Sequence, residues 1–317
     1  MEVVATPLAN PLQSVHAGSK PKSVLADRLT GLLRLWHLAS LDAPTVATVW
    51  AWAFARSAHI RLAAWPLVLL GLVVWAVYIG DRLLDARAGR RSPSTHDLRA
   101  RHHFHWRHRR VLAPVAGASA LLAAALLAAA IVRRRVPLIA LPQDSVVALA
   151  TLAYFSGVHG RLKLPGAVGR LARGMGSREC LVGALFAAGC VLPAWSVDPV
   201  AWGPASPLRL LVLPAAYFAV LAWTNVRAIT RWEAEHRLGR MAWGLAGAGL
   251  LLAAGLAAGQ PRAAALVAAG AVSALLIGWL DSKSASQQAN KSALDAVTLR
   301  AAVDLVLLTP LLRAVVR

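Results

Sequence analysis

The chain has 317 residues, of which 58% are hydrophobic and only 15% charged, with a mean hydropathy of +0.56 and a formal net charge of +20. A water-soluble domain of this length carries more charge than that. The basic excess lies between apolar runs, which points to anionic membrane lipids and argues against a nucleic-acid partner. Ala and Leu dominate those runs without a period-two alternation, so the reading is all-α: a polytopic membrane helix bundle rather than a β-barrel.

Residues 1–30 hold Pro, Ser, Lys and Asp but no apolar core of a signal peptide, and read as a partly disordered cytoplasmic tail. Residues 31–317 read as one transmembrane helical domain. Its apolar runs are 36–55, 62–84, 111–132, 137–158, 178–195, 208–226, 241–259, 262–280 and 295–314, which gives about nine transmembrane helices. The fourth is broken by Pro142, Gln143 and Asp144. Basic residues collect after runs two, four, six and eight, from Arg87–Arg110, through Arg161–Arg173 and Arg227–Arg240, to Lys283–Arg300. The positive-inside rule then places those loops and the N-terminus in the cytoplasm, with Arg133, Arg134 and Arg135 as the exception. Gly255 and Gly259 form a GxxxG pair suited to close helix packing within the bundle. Trp36, Trp50, Trp52, Trp65 and Trp75 read mainly as an interfacial aromatic belt. Cys180 and Cys190 make no disulfide framework.

Run two ends in "WAVYIGDRLLDARAGRR". Asp81 and Asp85 are four apart, so on a helix their Cβ atoms lie about 5–6 Å from each other on one face. Two carboxylates so placed repel unless a cation or donors bridge them. Oxygen donors of this kind suit Mg²⁺, which completes its shell with water and substrate phosphate. The structural alternative is an ion pair of Asp81 with Arg82 or Arg87 that marks a helix end. Asp304 lies inside run nine, and a carboxylate there is costly enough to be a functional candidate or a bundle-facing hydrogen-bond acceptor. His37 and Asp42 near the start of run one read as cavity-facing or interfacial residues, with the interfacial reading favoured. His102, His103, His105 and His108 fall within seven residues, but the arginines around them favour a basic interfacial helix over a metal site.

Three segments resemble the UbiA-type intramembrane prenyltransferases. "DRLLD" at 81–85 is similar to the tail of that superfamily's first aspartate motif, with Val77 and Tyr78 where an Asn-Asp pair leads it. "YFSGVHGRLKLPG" at 154–166 is similar to its segment after helix four. "TNVRAITRWEAE" at 224–235 resembles its second motif, keeping Asn225 and Arg227 but with Ala228 and Trp232 at the aspartate positions and Glu233 and Glu235 out of register. The resemblance implies Mg²⁺-dependent transfer of a polyprenyl group from an isoprenoid diphosphate to a lipophilic acceptor. It implies Asp81 and Asp85 as metal ligands and catalytic residues, supported by Asn225. Arg87, Arg91, Lys163, Arg227 and Arg231 would contact the diphosphate, with Tyr78 and Asp304 in the substrate site. The other readings are a non-catalytic isoprenoid- or lipid-binding protein of the same fold and a CDP-alcohol phosphotransferase. The latter requires a Gly after the first Asp and further downstream aspartates, and "LLDARAG" has neither.

Overall fold

A computed structural model describes residues 24–91, 100–136, 144–151, 178–196, 210–234, 236–289 and 296–312. Among these residues the chain is helical and contains no strand. The elements are α1 (Val24–Leu38), α2 (Asp42–Ser57), α3 (Ala64–Arg91), α4 (Ala100–Arg107), α5 (Arg109–Val132), α6 (Arg178–Trp195), α7 (Val212–Glu233), α8 (Met241–Ala257), α9 (Pro261–Ala289) and α10 (Ala296–Leu305). A 3₁₀ segment, Val306–Leu311, continues α10. Residues 144–151 are also helical; the rest of the fourth run, Lys163 and the 154–166 segment lie outside the described residues.

Four helices, α3, α5, α7 and α9, are long and apolar enough to cross a membrane, and α6 and α8 are shorter apolar helices. Only 11% of the apolar span of α3 and 17% of that of α5 are buried inside the protein, against 61% in α9. Leu121, Leu122 and Val132 on α5 are exposed. An apolar surface of that kind requires lipid to cover it, and it marks a membrane protein with α9 central and α5 peripheral. α3 has 28 residues, about 42 Å at 1.5 Å per residue. That exceeds the roughly 30 Å hydrocarbon core, so α3 is long enough to extend beyond it.

The helices start and stop for local reasons. Pro261 occupies the first position of α9, where its missing N–H is not needed. α1, α2 and α5 each end with a residue in the left-handed region: Ser40 (φ 57°), His59 (φ 62°) and Arg134 (φ 50°). Each stop carries paired bonds back to the last turn; for α2 these are His59 N–H to Arg56 O and Ile60 N–H to Ala55 O. None of the three is glycine, so each costs about 1–2 kcal/mol of backbone strain.

The core centres on aromatic rings from α2, α6 and α7. Trp50 stacks on Phe218 at 3.9 Å between centroids, Phe54 closes edge-on, and Phe186 flanks them. The Trp50 indole N–H donates to Leu307 O at 2.8 Å, tying in the 3₁₀ segment. Trp50 is therefore a core residue and not part of an interfacial belt. The close helix approaches also fall elsewhere than the GxxxG pair. Gly255 and Gly259 meet nothing within 4 Å. At Gly183 on α6 a Cβ would lie 2.7 Å from the Trp223 backbone nitrogen, and at Gly249 on α8 it would enter the Tyr217 ring. Cys180 and Cys190 are free thiols.

Candidate functional site

Polar side chains gather at one end of the bundle, where α1 ends, α2 begins, and α3, α7 and α9 finish. His37 is in the last turn of α1. The left-handed Ser40 reverses the chain, and Asp42 opens α2, where a carboxylate complements the positive helix start. Asp42 Oδ1 accepts the Ala43 N–H at 2.9 Å, which leaves Oδ2 for the interior. His37 Nδ1 lies 2.7 Å from Asp42 Oδ2 and 3.5 Å from Asp304 Oδ2 of α10. Asn225 on α7 donates from Nδ2 to Asp304 Oδ1 at 3.0 Å. From α3, Arg82 Nη2 approaches Asp42 Oδ2 at 3.7 Å and donates to the Tyr78 hydroxyl at 2.8 Å; its guanidinium also covers the Tyr78 ring at 4.4 Å.

Five of the six linked groups are buried, Tyr78 being half-buried: His37 and Asp42 are 1% exposed, and Asn225, Arg82 and Asp304 stay below 9%. Two carboxylates face one guanidinium and one imidazole, so protonation of His37 makes the set neutral. Several atoms nevertheless lack a hydrogen-bond partner, among them His37 Nε2, Arg82 Nη1 and Asn225 Oδ1. Such atoms are costly when buried. His37, Asp42 and Asp304 place ligand atoms within 4.8 Å of one another, the one such group of three among the described residues. Their donor set suits a divalent ion, but the Arg82 guanidinium already supplies positive charge beside Asp42, so the cluster holds together as an ion-pair network.

Around it lies a second layer. Asp281, at the interfacial end of α9, accepts the Trp232 indole N–H at 2.8 Å and the backbone N–H groups of Leu238 and Gly239 at 2.8 and 3.2 Å. Glu233 pairs with Arg300, and Arg227 donates to Glu179 at 3.1 Å. Ser40 Oγ meets His105 Nε2 at 3.2 Å, which anchors α4 to the α1–α2 turn.

The sequence-derived site residues divide accordingly. Asn225 and Asp304 belong to the buried cluster, and the half-buried Tyr78 joins it through Arg82. Asp81 and Asp85 bracket Arg82 on α3, are half-buried, and each interacts with the protein. Arg87 and Arg231 are exposed, Arg227 is half-buried against Glu179, and the Arg91 side chain and Lys163 lie outside the description. Of the histidines, His105 is buried, His103 is exposed, and His108 bonds to Phe104 O at 2.9 Å. Sequence reasoning missed His37, Asp42 and Arg82 as the centre, and Asp281 altogether. One signal was available for Asp42: an acidic residue before Ala-Pro at a helix start in "SLDAPT". Comparison of the chain with protein-family models, with curated proteins and with solved structures finds no match to any of them.

Proposed function

We propose that the chain is a nine-helix, UbiA-like membrane transferase with its N-terminus in the cytoplasm. It takes a polyprenyl group from an isoprenoid diphosphate at the polar end and passes it to a lipophilic acceptor. The observation that carries this reading is the junction of the two motif segments. Arg82 of "DRLLD" and Asn225 of "TNVRA" connect through Asp42, His37 and Asp304. That chain of contacts links α3 to α7 by way of α1, α2 and α10, and the polar end of the bundle would carry Asp81 and Asp85. Asp81 and Asp85, two carboxylates one turn apart, fit Mg²⁺ in donor type and would hold it, and its charge would assist departure of the diphosphate. Arg227, Arg231 and Arg87 would bind the remaining phosphate charge. The lipid-facing helices would take the isoprenoid tail and keep water from the reacting carbon.

A second reading, isoprenoid binding without turnover, is favoured by α7. Ala228 is fully buried, Trp232 is bonded to Asp281, and Glu233 is held by Arg300, so α7 offers no second carboxylate pair. Both readings are tested by Mg²⁺-dependent binding of geranylgeranyl diphosphate to the wild type, Asp81→Asn and Asp85→Asn, with released diphosphate measured in parallel in the presence of a membrane-lipid extract that supplies acceptors. Loss of binding in each Asn variant is expected. Equal metal-dependent binding in all three would remove the aspartate pair from the site, and binding without diphosphate release would select the second reading.

A further inference from the structure

The end of the bundle opposite the His37–Asp304 cluster holds a basic cavity. α2 has 16 residues, so its two ends are about 24 Å apart. The cavity, of about 430 Å³, opens where α2 stops and α9 starts. Arg56, His59, Arg61 and Arg262 line it, with Trp52 and Leu62 as apolar walls, and none of its lining among the described residues is acidic. Its size is that of a small-molecule site.

Three features make it more than a surface patch. First, His59 sits in the left-handed region at φ 62°, where glycine is the usual occupant. The strain is tolerated at a position whose ring is engaged. Arg262 Nη1 donates to His59 Nδ1 at 2.7 Å, which makes Nδ1 the acceptor and leaves Nε2–H as a donor. Second, Arg262 is the second residue of α9, so the positive end of a 29-residue helix adds to the guanidinium charge. Third, these arginines lie at the end of run one and the start of run eight, on the side of the bundle where Arg133, Arg134 and Arg135 form the other basic group. Arginines on that side run against the orientation rule. Their convergence on one cavity gives them a local use.

We propose that this cavity binds the phosphate of an anionic phospholipid headgroup. Guanidinium groups match phosphate oxygens in a two-point geometry, and an anion relieves the mutual repulsion of three arginines. Inorganic phosphate shares that chemistry. The apolar walls and the position at the end of membrane-spanning helices favour the lipid, whose glycerol and first acyl carbons would lie against Trp52 and Leu62. The proposal is independent of the transfer reading, because the cavity contains none of the residues placed in the transferase site.

The test uses the full chain in detergent micelles, with native mass spectrometry counting retained lipid. The wild type is expected to retain one phosphatidylglycerol, with about tenfold or greater preference over phosphatidylcholine. Arg61→Gln combined with Arg262→Gln is expected to lose that preference by about tenfold or more, since each charged hydrogen bond removed weakens binding by that order. Should the double variant fail to fold, Arg56→Gln alone is expected to lower the preference measurably. Arg133→Gln with Arg135→Gln, which removes exposed charge outside the cavity, is expected to leave it unchanged. Unaltered retention in the folded cavity variants would overturn the proposal. So would displacement of the lipid by inorganic phosphate as effective as that by added phosphatidylglycerol, which would mark a free-anion site.

Discussion

Arg82→Met removes the guanidinium from the buried network while keeping most of the side chain's length and apolar bulk. Arg82 Nη2 is 3.7 Å from Asp42 Oδ2. At an effective dielectric constant of 20 that separation corresponds to about 4.5 kcal/mol of attraction. The variant also loses the bond to the Tyr78 hydroxyl, and it relieves the cost of burying Arg82 itself. Breaking a buried ion pair from one side costs about 3–5 kcal/mol in general, because the remaining charge is left without compensation. Here the remaining charge is Asp42, at 1% exposure, with Asp304 beside it. Hydrogen bonds between membrane helices average only about 0.6 kcal/mol and reach about 1.7. The expected loss therefore separates a charge network from ordinary polar contacts. The assay is reversible unfolding in mixed micelles with increasing sodium dodecyl sulfate. Arg87→Met on the exposed part of α3 is the control, expected within about 0.5 kcal/mol of wild type. Asp42→Asn combined with Arg82→Met should recover part of the loss, since the carboxylate left behind is no longer charged. A loss for Arg82→Met no larger than that for Arg87→Met would refute the reasoning.

Trp232→Phe keeps the ring packing but removes the donor to Asp281, and should destabilise by about 1–3 kcal/mol because a buried carboxylate oxygen loses a partner; unchanged unfolding would show that Asp281 is satisfied by the backbone of Leu238 and Gly239 alone. Gly183→Ala should cost about 1–3 kcal/mol by forcing α6 away from the Trp223 backbone, whereas Gly255→Ala, in open space, should be neutral or slightly stabilising. Unfolding measurements on the two glycine variants check the contrast, and equal effects would place the helix contact elsewhere.

Hydrophobic run length located the four long apolar helices α3, α5, α7 and α9, because a bilayer demands about twenty apolar residues per crossing, but run one, 36–55, is divided between α1 and α2. Asp304 was legible for the same reason, a carboxylate inside such a run being expensive. His37 and Asp42 were not, since they lie five apart across a chain reversal and meet Asp304 from the far end of the sequence. No periodicity encodes that convergence. Trp50 was misread because tryptophan favours both interfaces and cores, and only its contacts with Phe218 and Leu307 decide between them. The GxxxG spacing failed in a related way: it reports small residues on one face, but not whether that face is covered. Gly183, which stands in no such motif, is where two backbones meet.

The buried charges bear on how the bundle finds its register. Much of the helix surface is Ala and Leu, and α8 presents "MAWGLAGAGLLLAAGLA" with little to distinguish one rotation from another. Apolar packing in lipid is weakly directional, because the acyl chains compete on nearly equal terms. The buried charges are not interchangeable in this way. Asp42, Asp304 and Arg82 reach compensating partners only if α1, α2, α3, α7 and α10 meet at one height and one rotation. Any slip leaves a charge in a medium where it costs several kcal/mol. On this argument the network contributes more to choosing the arrangement than to net stability. Neutralising both partners at once should therefore leave a protein that still inserts but that places the ends of α3 and α7 less uniquely.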